Sequence, residues 1–234
     1  MAYKGKYISV IIPAAGMGKR MDKGMNKQFI LLKGKPILAH TIDKFNSCPY
    51  IDEIIIVTRE EEKKYCRDNI IDKYGFHKVN KIVKGGEERQ DSVYNGLIAV
   101  DNKCDIVLIH DGARPFVNGA NIADAIKGVI KYKACVIGVP TKDTIKVVDG
   151  YSNVKDTPNR KYLWSVQTPQ AFDYNLILKA YKDGMANSVS VTDDSMLVER
   201  LGYEVKMING SYNNIKITTP EDLQFGELIA KGGE

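Results

Sequence analysis

Short apolar runs rich in β-branched residues alternate along this chain with longer amphipathic stretches. The runs Tyr7–Pro13, Glu53–Thr58, Lys81–Lys84, Asp105–His110 and Ala134–Pro140 read as strands. The stretches Pro36–Asn46, Glu60–Tyr74, Glu88–Val100 and Asn118–Lys133 read as helices between them. "EIIIV" and "DIVLI" are apolar without alternation, which implies burial on both faces, as in a parallel sheet covered by helices. This order predicts an α/β fold: a doubly wound, mostly parallel, Rossmann-like sheet with right-handed crossovers. Ligands of such sheets collect beyond the C-terminal ends of the strands.

The rhythm breaks after Pro140. The next 32 residues, "TKDTIKVVDGYSNVKDTPNRKYLWSVQTPQAF", hold β-rich pieces and an Asp149–Gly150 turn signal but no helical periodicity. Thr141 to Arg160 is expected to form a β-arm projecting from the sheet. A two-stranded arm is barely stable alone in water, so a second subunit is its expected support. The α/β pattern resumes with a helix near Tyr174–Asp183, a strand around Glu204–Ile208 and a last helix from Pro220. A single domain over residues 1–234, with the arm at about 141–160, is the expected organisation.

Charge narrows the function classes. The net charge, 34 − 29 = +5, is mild and acids are interspersed with bases, which disfavours a nucleic-acid or membrane-surface partner. The 13 tyrosines show no basic interleaving of the kind that binds single strands. Cys48, Cys66, Cys104 and Cys135 form no C-x-x-C pair, and His40, His77 and His110 show no ligand spacing. The cysteines therefore read as small core residues in a reducing compartment, and a dedicated zinc site is not expected. No continuous apolar segment is long enough to span a bilayer, so a cytoplasmic location is expected.

The first strand opens into "AAGMGKRMDKGMNKQF", where four bases oppose one acid. Backbone N–H groups of a glycine loop can converge on phosphate oxygens, with basic side chains neutralising the remaining charge. G-x-x-x-x-G-K-[ST] is absent, and G-x-G-x-x-G meets Met21 at its third glycine. What remains is Gly16, Gly18, Arg20 and Lys27, a set suited to a nucleoside triphosphate, although a solvated basic loop has the same composition. "GGEERQDSVYNGL" adds Gly85, Gly86 and Ser92 after the third strand. "LIHDGARPF" adds Asp111 and Arg114 after the fourth, where an internal ion pair between them is the simpler reading. Three successive strand ends should bring these loops to one rim.

Six motifs in order, "PAAGMGKRM…KQF", "GGEERQDSV", "HDGARPF", "QTPQAF", "TDDSMLVE" and "NIKITTPEDL", carry a resemblance over about residues 7–230. The chain resembles the 2-C-methyl-D-erythritol 4-phosphate cytidylyltransferases of the non-mevalonate isoprenoid pathway. The resemblance implies that Gly16 and Gly18 supply backbone donors to the CTP triphosphate while Arg20 and Lys27 grip it. Pro13, Ala14 and Ala15, with Gly86, Glu87 and Ser92, would frame the nucleotide, Glu87 standing where a relative has aspartate. Asp111 would border both substrates and Gly112 the nucleotide, Gly112 replacing a commoner alanine. Arg114, Thr168, Thr192 and Lys216 would complete the acceptor site with Asp111. Thr144 and Arg160 match residues delivered by a neighbouring subunit, which implies a homodimer built through the arm. Thr192 beside Asp193 also fits a plain helix cap, and Lys216 an exposed strand lysine facing away from Ile215 and Ile217.

The implied reaction is in-line attack by an acceptor phosphate oxygen on the α-phosphorus of CTP, releasing pyrophosphate. The nucleophile is already an anion, so the chemistry needs cations rather than a base. Arg20, Lys27 and Lys216 would supply them, with Mg²⁺ held mainly by phosphates and water. Relatives acting on ribitol 5-phosphate tend toward "LAGG" and "HDAVRPF", whereas this chain has "PAAG" and "HDGARPF". A non-catalytic nucleotide-binding subunit is the alternative of another class, against which the presence of all three cations speaks.

Overall fold

A computed structural model describes residues 3–16 and 27–232. In chain order the elements begin with β1 (Ile8–Pro13), a 3₁₀ turn (Lys27–Phe29), the small hairpin β2 (Leu31–Leu32) and β3 (Lys35–Pro36), and α1 (Ile37–Asn46). Then come β4 (Glu53–Thr58), α2 (Lys63–Cys66), β5 (Val79–Lys84), α3 (Arg89–Leu97), β6 (Ile106–Ile109) and α4 (Gly119–Tyr132). The remainder is β7 (Ala134–Pro140), β8 (Val147–Val148), β9 (Val154–Asp156), β10 (Trp164–Asp173), α5 (Tyr174–Ala186), α6 (Ser195–Arg200), β11 (Lys206–Asn209) and α7 (Pro220–Lys231).

Seven strands form one sheet in the order β11-β7-β10-β6-β1-β4-β5. β1 pairs in parallel with β4 and β6, β4 with β5, and β7 with β11; β10 alone among these runs antiparallel, between β6 and β7. Both faces are covered, as the continuous apolar runs required. Ile8, Val10 and Ile12 face one core with Leu38, Ile42 and Phe45 of α1 and Ile122 and Ile126 of α4. Ile11 faces the other, with Val93 and Leu97 of α3, Ile177 and Tyr181 of α5 and Leu197 of α6. The chain winds outward from β1 through β4 to β5, then returns to β6 on the other side of β1. The crevice between the C-terminal ends of β1 and β6 is therefore the switch point where ligands of such sheets bind.

The element pattern of the sequence is present with shifted ends. The helix expected over Glu60–Tyr74 changes winding on the way, from a 3₁₀ turn (Glu60–Glu62) through α2 to a π segment (Arg67–Asp72). β10 went unread because Pro169 sits inside it, and proline removes a ladder donor from a central strand. The sheet admits it at a bulge between Val166 and Gln170, where the Thr168–Pro169 peptide is cis. That bulge lies at the rim where the parallel strands end. β8 and β9 form a separate two-stranded sheet outside the main one, closed by an Asp149 side chain that accepts from the N–H groups of Tyr151 and Asn153.

Candidate active site

Loops at the ends of β1, β5 and β6 meet the β10 bulge and the 210–217 segment on this rim. The first cavity, about 160 Å³, is lined by Pro13, Ala15, Gly16, Gly86, Ser92 and Asp111, with Glu87, Gly112, Arg89 and Lys216 at its borders. Close approach explains its glycines: a Cβ on Gly85 would stand 2.7 Å from the Ala15 methyl, and one on Gly86 2.2 Å from Asp91 Cβ. Ser92 holds the loop in this shape. Its hydroxyl accepts from the Gly86 N–H (3.1 Å) and donates to the Glu88 carbonyl (3.1 Å). Ala14 is buried behind the cavity, with its N–H donating to the Val57 carbonyl.

A second cavity of about 280 Å³ adjoins, lined by Arg114, Val166, Gln167, Thr168, Thr192 and Asp193, and it shares Arg89, Asp111 and Lys216 with the first. Asp111 is the hub between them. Its carboxylate meets Lys216 Nζ at 2.8 Å, Arg89 Nε at 3.4 Å and Arg114 Nε at 3.6 Å. Burial by itself would raise the Asp111 pKa, but Lys216, Arg89 and Arg114 more than offset this and hold it well below the usual carboxylate range. The Asp111–Arg114 pair read from sequence is thus present, as one arm of a larger cluster. Lys216 projects to Asp111 while Ile215 and Ile217 pack with Ile30, Leu32 and Ile37, so the expected alternation holds in an extended segment that joins no sheet.

His110, fully buried beneath Asp111, organises the strand end. The Arg114 carbonyl can only accept, so Nε2 of His110 carries the proton and donates to it at 3.0 Å. Nδ1 then accepts the Thr168 hydroxyl proton at 3.0 Å, and Thr168 Oγ1 in turn accepts from the Asp111 N–H at 3.1 Å. Burial drives the His110 pKa down to about 4. The Thr168 hydroxyl proton is committed to His110 in this arrangement, so the charged donors lining the second cavity are Arg89, Arg114 and Lys216. Thr192 Oγ1 donates to Met196 Sδ at 3.2 Å rather than accepting a helix N–H, and it is Asp193 Oδ1 that accepts from the Met196 N–H, at 3.1 Å.

Other expected residues either fall outside the described residues or line neither cavity. Gly18 and Arg20 are outside the described residues, as is the side chain of Lys27, whose backbone opens the 3₁₀ turn next to cavity-lining Gln28. Thr144 and Arg160 are exposed, line neither cavity, and flank the arm; Arg160 Nη1 donates to the Lys142 carbonyl at 2.5 Å. The sequence reading assigned no role to Arg89, Asp194, Tyr181 or His110. Arg89 and Asp194 sit within two of the quoted motifs, but their pairing spans 105 residues and has no local signature. Among the described residues no group of three His, Cys, Asp or Glu side chains comes together as a metal site.

The chain is similar to known proteins over nearly its whole length. Residues 8–231 match the family model IspD, 2-C-methyl-D-erythritol 4-phosphate cytidylyltransferase. A protein of that name from Caldanaerobacter subterraneus subsp. tengcongensis is 51% identical over 96% of this chain and 99% of its own length. Another, from Clostridioides difficile, is 55% identical over 94% of this chain and 92% of its own. The crystal structure of 4-diphosphocytidyl-2C-methyl-D-erythritol synthase from Anaerococcus prevotii superposes with a TM-score of 0.87, at 38% identity and 97% coverage of both chains. A glycine-walled cavity and a cation-ringed one share a single carboxylate at the switch point of a doubly wound sheet, and by this match over nearly its full length the chain belongs to the IspD cytidylyltransferase family.

Proposed function

We propose that the chain transfers a cytidylyl group from CTP to 2-C-methyl-D-erythritol 4-phosphate, releasing pyrophosphate, and so acts in isoprenoid precursor synthesis. The observation that carries this reading is the shared wall of the two cavities, Arg89, Asp111 and Lys216. CTP occupies the glycine-walled side, with its base against Ala15, Gly86 and Ser92. The polyol phosphate occupies the side lined by Arg114, Thr168 and Thr192, with its hydroxyls toward Asp111. Arg114 supports the assignment, since its buried Nε has no hydrogen-bond partner among the described residues. Lys216 stands between the two sides, where an attacking phosphate must approach the α-phosphorus. Arg20 and Lys27 neutralise the triphosphate.

Mg²⁺ suits this donor set if phosphate and water supply most of its ligands. The buried carboxylate at the site, Asp111, is already matched by three cations. Bound to the triphosphate, the ion supplies charge neutralisation around the α-phosphorus. The enzyme works as a homodimer in the cytoplasm, each arm carrying Thr144 and Arg160 to its partner's acceptor side. The arm supports this through its exposed Val147, Val148, Tyr151 and Val154, which lie outside the main sheet. No helix among the described residues is long and apolar enough to cross a membrane. Supplying CTP with either 2-C-methyl-D-erythritol 4-phosphate or ribitol 5-phosphate and measuring pyrophosphate tests the assignment. A strong preference for the first is expected; a preference for ribitol 5-phosphate overturns it.

A further inference from the structure

Asp194 is fully buried in the turn before α6 and receives both terminal nitrogens of Arg89, Nη1 on Oδ1 at 2.8 Å and Nη2 on Oδ2 at 2.7 Å. Tyr181 of α5, also fully buried, donates its hydroxyl to the same Oδ1 at 2.5 Å. The guanidinium is planar, so gripping its two terminal nitrogens fixes the direction of its third, and that Nε points at Asp111 Oδ1. A lysine could not satisfy both carboxylates in this way. Arg89 stands at the first position of α3, immediately after the loop that walls the first cavity. Asp194 follows Thr192 and Asp193, which wall the second. The bidentate pair therefore ties one cavity's loop to the other's.

Its chemical use follows from Lys216. At 2.8 Å from Asp111 Oδ2, this ammonium spends one of its three donors on the carboxylate and can turn another to an incoming phosphate, which divides its charge between two anions. Sharing it weakens the compensation of a buried carboxylate, which is unfavourable unless other charges remain. Arg114 stays at 3.6 Å, with its Nη1 held on the Asn214 carbonyl. Arg89 is the second remaining charge. We propose that Arg89, gripped by Asp194 and Tyr181, is a positioning residue that holds Asp111 in place and compensated while Lys216 is shared with the acceptor phosphate, and that the grip couples acceptor binding to nucleotide binding. This rests on the reading above of two phosphate-bearing substrates meeting at Asp111.

The test compares Tyr181→Phe, Arg89→Lys and Asp194→Asn with the parent. It measures kcat, separate KM values for CTP and 2-C-methyl-D-erythritol 4-phosphate, and melting temperature. Calorimetry adds the affinity for a CTP analogue with a methylene bridge between its α- and β-phosphates, with and without the acceptor. Arg89→Lys is expected to raise the acceptor KM at least about tenfold while the affinity for the analogue alone changes little. It is also expected to abolish an enhancement of about tenfold in analogue affinity caused by the acceptor. Tyr181→Phe, which keeps the ring, shifts both quantities the same way by less. Should Asp194→Asn fail to fold, the other two variants decide. Variants that melt lower yet keep parental KM values and coupling, or that weaken analogue binding as much without acceptor as with it, overturn the proposal. A parent that binds both ligands but releases no pyrophosphate counts against the reaction, and the calorimetric coupling then decides the role of Arg89.

Discussion

The Asp111 cluster and the β-arm both carry residues proposed to meet substrate phosphates, and they differ in what holds them. Asp111, Arg89, Arg114 and Lys216 converge from three separate parts of the chain and rest on buried His110, Thr168 and Asp194. Thr144 and Arg160 sit on an exposed two-stranded projection with few long-range contacts of its own. The first region is preorganised by its own chain, so its charges need no reordering when substrate arrives. The second can act only where another surface meets it. One half of the site is therefore expected to be sensitive to changes in stability, and the other to changes in association.

The sharpest break in this contrast is Asp111→Asn. Removing the central anion leaves three cations facing one another, and breaking a buried pair of this kind costs about 3–5 kcal/mol. Urea unfolding should show that loss, while Arg160→Ala should stay within about 0.5 kcal/mol of the parent. Equal effects would erase the distinction between the two regions.

Turnover sharpens the contrast next. Lys216→Ala and Arg160→Ala should each lower kcat by roughly 10²–10³. If Arg160 acts across a dimer, mixing the two defective proteins restores activity, because one kind of site in the mixed dimer keeps both residues. Random exchange would rebuild roughly a quarter of the sites. An equimolar mixture as inactive as its components places Arg160 in its own chain's chemistry or in none.

The base of the cluster is open to pH. Burial keeps His110 neutral, with its pKa lowered to about 4, so the folded chain refuses a proton that the unfolded chain takes up below about 6.5. The resulting stability is fully present above that value and is lost as pH falls from about 6.5 to 4, up to about 3 kcal/mol. Unfolding midpoints across this window should decline more steeply for the parent than for His110→Gln. Parallel declines would remove His110 from the account. The smallest expected effect is at Gly112→Ala. The new methyl would meet Gln28 Oε1 at 2.4 Å and Leu38 Cδ1 at 3.2 Å, and Oε1 is the far end of a side chain that can rotate to make room. Stability should change by less than about 1 kcal/mol, with any kinetic change confined to CTP.

Periodicity alone was enough to read the parallel strands, the flanking helices and the rim where ligands gather, because burial on two faces writes a continuous apolar run into each strand. The glycine loops were legible too, since only glycine tolerates the approach of Gly85 and Gly86 to Ala15 and Asp91. β10 was not, because its only clear signal, Pro169, argues against a central strand until a bulge is known to absorb it. Arg89 and Asp194 were visible as letters in two motifs, and nothing local joins them.

Residue types and their spacing thus determined the layers of this protein and the cationic character of its site. Tertiary structure alone decided which charge answers which: that Lys216 rests on Asp111, that Arg89 is held by Asp194, and that His110 takes the Thr168 proton. Local pattern reflects burial, a property of each residue against its own helix or strand. Charge pairing depends on distances between residues that lie tens of positions apart, and folding alone sets those distances.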